Sequence, residues 1–153
     1  MSYTERITTS QNTTTNYSGT EQLPQSHSTG SVIDFSRGTF YNAPSGAKGG
    51  SQRKLIDCSV GDGTVKGSVA SWRLYREYGY KYNGSRTMLY IEVDGYSQMN
   101  GYYYLDDCSA AKNYYAGGKL VDANSVIDFF YVNGRRCPFY SQGVVRVKCY
   151  VVT

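Results

Sequence analysis

Three Asn-Gly pairs, Asn83-Gly84, Asn100-Gly101 and Asn133-Gly134, constrain this chain more than any other feature. A two-residue hairpin turn needs positive φ at both central positions, so Asn-Gly between strand-like residues marks a hairpin and sets its register. At Asn83-Gly84 the expected register pairs Tyr82 with Ser85, Tyr80 with Thr87, Tyr78 with Leu89, Leu74 with Val93 and Arg73 with Asp94. One face then carries Leu74, Tyr78, Tyr80, Leu89, Ile91 and Val93. The other carries Arg73, Glu77, Lys81, Arg86, Glu92 and Asp94, which is the separation a half-buried sheet requires.

Asn100-Gly101 pairs Met99 with Tyr102 and Ser97 with Tyr104, extending the unit to a three-stranded meander over residues 72–107. Asn133-Gly134 sets Val132 against Arg135, Phe130 against Cys137 and Asp128 against Phe139. Pro138, lacking an amide donor, places that strand at a sheet edge. Strand starts near Val32 and Thr39, the segment Lys54–Val60 and the closing run Val144–Val152 bring the count to eight to ten. The expected fold is all-β, an antiparallel β-sandwich or jelly roll. Seventeen Gly and seventeen Tyr against three Pro suit turns and pleated surfaces, and 153 residues suit one core.

That domain is expected to span residues 32–153. Residues 1–31 are dominated by Ser, Thr, Asn and Gln, with Ile7 and Leu23 as the aliphatic exceptions. Such a segment buries too little apolar surface to offset its ordering entropy by itself. An extended arm used for assembly or attachment is the expectation.

The net charge of +4 is spread among Asp and Glu, which describes a mixed solvated surface rather than a nucleic-acid footprint. No apolar stretch approaches the roughly 20 residues that span a bilayer, and the N-terminus lacks the basic start and apolar core of a signal peptide. Cys58, Cys108, Cys137 and Cys149 have no zinc-ligand spacing, so no metal or other cofactor is expected. Reduced core thiols are the default, with a disulfide left open.

The single histidine, His27, sits in the polar arm, away from any nucleophile it could activate. Among carboxylates, Asp106 and Asp107 are neighbours and point to opposite faces of a strand. Glu92 and Asp94 share the charged face with Arg73 and Tyr75, and solvated pairing is favoured over catalysis. Gly49-Gly50 and Gly61-Asp62-Gly63 read as turns, with no helix start behind them to cradle a phosphate. The tyrosines exceed what one small core needs. Tyr103, Tyr114 and Tyr115, with Tyr75 and Tyr90, are the expected ligand or subunit surface, because tyrosine joins a rigid apolar face to a polar tip.

The run Val32–Gly46, with Thr39-Phe40-Tyr41-Asn42-Ala43-Pro44-Ser45-Gly46 at its end, resembles the opening of jelly-roll head modules at the tips of bacteriophage fibres, similar to tumour-necrosis-factor or complement-type trimeric heads. Residues Gly118–Phe129 and Val144–Val152 stand where such modules have a late β segment and a final strand. The resemblance implies a non-enzymatic virion component. It would be a homotrimer, joined to other virion or scaffold proteins by residues 1–31 and presenting aromatic loops to a host receptor or glycan. A cell-wall or carbohydrate-binding module of bacterial SH3-like type is the alternative, and a glycan-processing enzyme the third reading.

Overall fold

The computed structural model describes residues 30–153. The chain is all-β apart from one short helix and two 3-10 turns. Its elements are β1 (Ile33–Ala43), β2 (Val65–Ala70), α1 (Trp72–Tyr78), β3 (Lys81–Tyr82), β4 (Ser85–Arg86), β5 (Met88–Val93), β6 (Gly101–Asp107), β7 (Tyr114–Ala116), β8 (Lys119–Val121), β9 (Val126–Val132) and β10 (Val145–Val151). Six strands close into a barrel in the order β1-β10-β5-β6-β2-β9, while β3-β4 and β7-β8 are small separate hairpins. The expected sandwich or jelly roll of facing sheets is therefore met only at the level of an all-β fold.

Closure depends on two parallel pairings, β1 with β9 and β2 with β6, which no Asn-Gly turn announces. Strand β9 reads Val-Ile-Asp-Phe-Phe-Tyr-Val and is apolar on both faces, as suits a strand covered inside and out. Ile127, Phe129 and Tyr131 join Phe35, Val69, Leu89, Ile91, Tyr103, Leu105, Val147 and Cys149 inside the barrel. Both edges of β9 are taken, by β1 and β2, so the hairpin expected at Asn133-Gly134 cannot extend. Arg135 N–H does reach Val132 O at 2.9 Å. Beyond it, Cys137 and Phe139 turn into the core, and the Phe139 ring packs edge-on against Phe40 and Phe129.

At Asn83-Gly84 the turn is as expected, with φ of 53° and 79° and Tyr82 opposite Ser85. The ladder stops after Lys81–Arg86, because residues 72–78 form a helix where the pairings of Tyr78, Leu74 and Arg73 with β5 were expected. Ser71 caps it, its hydroxyl accepting Leu74 N–H at 3.1 Å, and Gly79 ends it at φ 68°. Leu74 and Tyr78 lie four apart, so the same two residues that fit one strand face also fit one helix face.

Asn100-Gly101 is not a two-residue turn. Ser97–Met99 forms a 3-10 turn, Asn100 Oδ1 accepts Val93 N–H at 2.8 Å, and β5 pairs with β6 as Tyr90–Tyr102 and Leu89–Tyr103. Lys54–Val60 is not a strand but part of a loop laid over the barrel, tied by Ser68 N–H to Ile56 O and Cys58 N–H to Phe130 O. The starts expected near Val32 and Thr39 belong to one strand, β1, with a bulge between Phe35 and Gly38. All four cysteines are free, with Cys137 and Cys149 buried. The arm and His27 lie outside the described residues, apart from the last two arm positions.

Candidate functional site

Strand register places one row of side chains across four neighbouring barrel strands. Thr39 of β1 is opposite Asp128 of β9, Asp128 is opposite Ala70 of β2, and Ala70 is opposite Asp107 of β6. Direct partners share a face, and the next residues along, Phe40, Phe129 and Val69, pack into the core, so this row points outward. Alanine between the two aspartates leaves no side chain beyond Cβ to separate them. Two interstrand spacings put their Cα atoms roughly 9.5 Å apart.

Asp128 is half-buried and hydrogen-bonded on both oxygens: Thr39 Oγ1 donates to Oδ1, and Ser109 Oγ donates to Oδ2 at 2.5 Å. Burial pushes its carboxyl above the usual carboxylate range. The Asp107 charge adds to the rise, while the Ser109 hydroxyl and the Arg37 charge oppose it. Asp107 is held differently, with Oδ1 accepting backbone N–H from Cys108 at 2.9 Å and from Gly50 at 3.2 Å.

Arg37 and Tyr41 alternate with Thr39 along β1 and so flank Asp128 on the same face. Tyr41 Oη and Arg37 Nε are the buried side-chain polar atoms without a hydrogen-bond partner among the described residues. Burial raises the Tyr41 phenol, with Asp107 and Asp128 contributing next. Orphaned buried donors beside a carboxyl whose pKa is raised by burial make this row the candidate site.

The glycine pair at 49 and 50 serves this site. A Cβ at Gly49 would stand 2.2 Å from the backbone oxygen of Asp106, so only glycine lets the loop reach β6 there, while one at Gly50 would press on the Tyr80 hydroxyl. Tyr80 has a raised phenol, with burial the largest influence, followed by Cys108 and the Asp107 charge. From Tyr80 an aromatic strip runs to Tyr75 at 4.8 Å and on to Trp72 at 5.8 Å between ring centroids.

Asp106 is the extra residue of a bulge between the pairs Val69–Leu105 and Ala70–Asp107, so the alternation expected for these neighbours does not hold there, and its role is structural. It is fully buried, accepts Ser68 Oγ at 2.6 Å and pairs with Arg86 through Nε at 3.2 Å and a terminal nitrogen at 2.8 Å. The Arg86 guanidinium lies over the Tyr104 ring at 3.9 Å.

The tyrosines expected to form a surface divide. Tyr103 is inside the barrel, its hydroxyl donating to Met99 O at 2.6 Å, because 103 and 105 are the inward positions of β6. Tyr90 packs edge-on against Tyr102 outside the barrel. Tyr75 is exposed in the aromatic strip, and Tyr114 and Tyr115 lie on the β7-β8 hairpin, where Tyr115 is 75% exposed opposite Leu120 at 59%. That hairpin joins the strand ending at Asp107 to the one carrying Asp128. Glu92 and Asp94 line a separate groove, where Glu92 is opposite Lys148, itself opposite Asp34.

Asp128 is the residue that sequence reasoning passed over as a hairpin partner of Phe139. Its signal was a lone acid in a seven-residue strand whose other members are all apolar. No protein-family model, curated protein or solved structure matches the chain. Among the described residues no three His, Cys, Asp or Glu side chains gather as metal ligands, and no helix is long and apolar enough to cross a membrane.

Proposed function

We propose that the domain cleaves a glycosidic bond, with Asp128 as the acid and Asp107 as the partner carboxylate. Two carboxyl groups roughly 5 to 9.5 Å apart across the bond are what glycoside cleavage uses, one protonated and one ionised. The observation that carries the reading is Asp128 itself, a carboxyl disposed by burial to hold its proton and steadied by two hydroxyl donors. It gives that proton to the leaving glycosidic oxygen as the bond to the sugar carbon breaks, while the carboxylate beyond Ala70 takes a proton from the water that adds to that carbon. The strip of Trp72, Tyr75 and Tyr80 offers aromatic surface for sugar rings next to Asp107. The test is release of reducing ends from a panel of bacterial and surface polysaccharides by the wild type, Asp128→Asn and Asp107→Asn. Cleavage lost in both variants supports the reading, and no cleavage by the wild type sinks it.

A second reading, a non-catalytic virion head that binds a host glycan or receptor, is favoured by the exposed Tyr115–Leu120 pair on its own hairpin. It anticipates a trimer in solution and binding to host cells that Tyr115→Ser weakens, with Asp128→Asn having no effect. A monomer whose adhesion is unchanged by Tyr115→Ser removes it.

A further inference from the structure

Strands β2 and β6 begin side by side at one end of the barrel, where the antiparallel β9 ends, and a cavity of about 630 Å³ opens there. Barrel mouths are a common place for small-molecule sites. The floor is made of core side chains, since Met99, Tyr103 and Tyr131 face the barrel interior, with Cys58 and Pro138 beside them. The Tyr103 hydroxyl is taken up by Met99 O at 2.6 Å, and the Cys58 thiol by Ser68 O at 3.5 Å. Tyr131 differs. It is 2% exposed, yet its hydroxyl has no hydrogen-bond partner among the described residues. The unpartnered polar atoms sealed from solvent are Arg37 Nε and Tyr41 Oη, so the Tyr131 oxygen is open to the cavity that its side chain lines. A buried phenol ordinarily finds a partner, and here the cavity is where one enters.

Lys66 and Arg136 line the same cavity, with Asp62 as its one carboxylate. The Lys66 stem lies over Gly101, where a Cβ would meet Cε at 2.6 Å, and the ammonium makes no ion pair with any described residue. Arg136 stacks on the Tyr140 ring at 4.4 Å and makes no hydrogen bond with a described residue. The Gly61-Asp62-Gly63 turn forms one wall. Asp62 and Val65 exchange backbone hydrogen bonds of 2.9 and 3.0 Å, and the two glycines take φ of 77° and 62° to make the turn.

We infer that this mouth binds a small planar aromatic molecule carrying one acidic group. Its ring lies against the Tyr103 ring and the Met99 thioether, which suit a flat apolar surface. Its acidic group faces Lys66 and Arg136, where two cations outnumber the single carboxylate, and Tyr131 Oη hydrogen-bonds it at the buried end. The site is separate from the carboxylate row. Val65 and Ala70 stand five residues apart on β2, which puts Asp107, the partner of Ala70, roughly 16 Å along the barrel wall. The inference therefore goes beyond the glycan reading and does not depend on it.

The probes are 2-naphthoate and its neutral amide, 2-naphthamide, titrated calorimetrically against the full chain at low salt, with backbone amide shifts in nuclear magnetic resonance locating the site. The acid is expected to bind at one site about tenfold or more tightly than the amide, the scale of one charge-assisted hydrogen bond. It should move the resonances of residues 61–66 and 99–101 and leave those of Gly50 and Cys108 in place. Lys66→Gln with Arg136→Gln, both at exposed positions and so keeping the cooperative melt of the parent, should bring the acid down to the affinity of the amide. Tyr131→Phe, which keeps the ring, should weaken the acid about threefold or more. Asp128→Asn should leave naphthoate binding unchanged, so failure of glycan cleavage and failure of this site are read separately. Equal affinities, no binding of either probe, a preference that survives the double substitution, or shifts confined to residues 49–51 and 107–109 would overturn the inference.

Discussion

Asp106 and Asp107 are adjacent in sequence and opposite in consequence, which makes Asp106→Ala an informative perturbation. The Asp106 side chain is fully buried and the Arg86 side chain only 21% exposed, so deleting the carboxylate strands a guanidinium that water reaches poorly. It also strips Ser68 Oγ of its acceptor at 2.6 Å. Ser68 Oγ in turn accepts Ile56 N–H at 2.9 Å, so the loss reaches the loop over the barrel. Removing one partner of a buried pair costs about 3–5 kcal/mol, mostly the penalty of the charge left behind. In a domain of this size that lowers Tm by roughly 10–25 °C. Urea unfolding monitored by tyrosine fluorescence, with a thermal melt, measures it. Replacing both partners, as Asp106→Leu with Arg86→Met, is expected to recover most of the loss, because no unpaired charge remains. A single variant within about 1 kcal/mol of wild type, or a double variant worse than the single, refutes the reasoning.

Phe139→Ala empties a site filled by a ring against Phe40, Phe129 and Tyr96, and should cost about 3–5 kcal/mol in urea unfolding; a loss under about 1 kcal/mol would mean that residues 137–139 do not plug the barrel. Gly49→Ala forces a methyl against the Asp106 carbonyl, so destabilisation of about 1–3 kcal/mol is expected together with loss of turnover, and full activity would contradict the role given to the loop. Because the folded-state pKa of Asp128 is raised, the folded protein keeps a proton that the unfolded chain has released between the two values. Stability therefore falls as pH rises through that window, and Asp128→Asn should flatten the slope of urea midpoint against pH; an unchanged slope counts against the burial of this carboxyl.

The parts of the fold legible in sequence were those governed by neighbours. The Asn83-Gly84 turn carries its own φ requirement and placed Tyr82 opposite Ser85, and the alternation from Val145 to Val151 marked β10. What stayed hidden depends on distant pairing. Nothing local in Val126–Val132 says that it lies parallel to Arg37–Ala43, and that pairing is what closes the barrel and denies Asn133-Gly134 its hairpin. In Trp72–Tyr78 the apolar positions satisfy both periods, and the Ser71 cap with Gly79 behind it decided for the helix. The site was hidden for the same reason. Asp107 and Asp128 meet only because β2 lies between them, whereas the tyrosine count was visible at once and pointed to Tyr103, which the barrel uses as core.

The central claim is that Asp128 is a proton-donating carboxyl acting on a glycan. Its most direct test is the rate of reducing-end release from a panel of polysaccharides by wild type and Asp128→Asn at matched folded concentration. Loss of about 10²-fold or more in the variant, the scale of general acid catalysis, is predicted. Equal rates, or no release by the wild type from any polysaccharide, would contradict it.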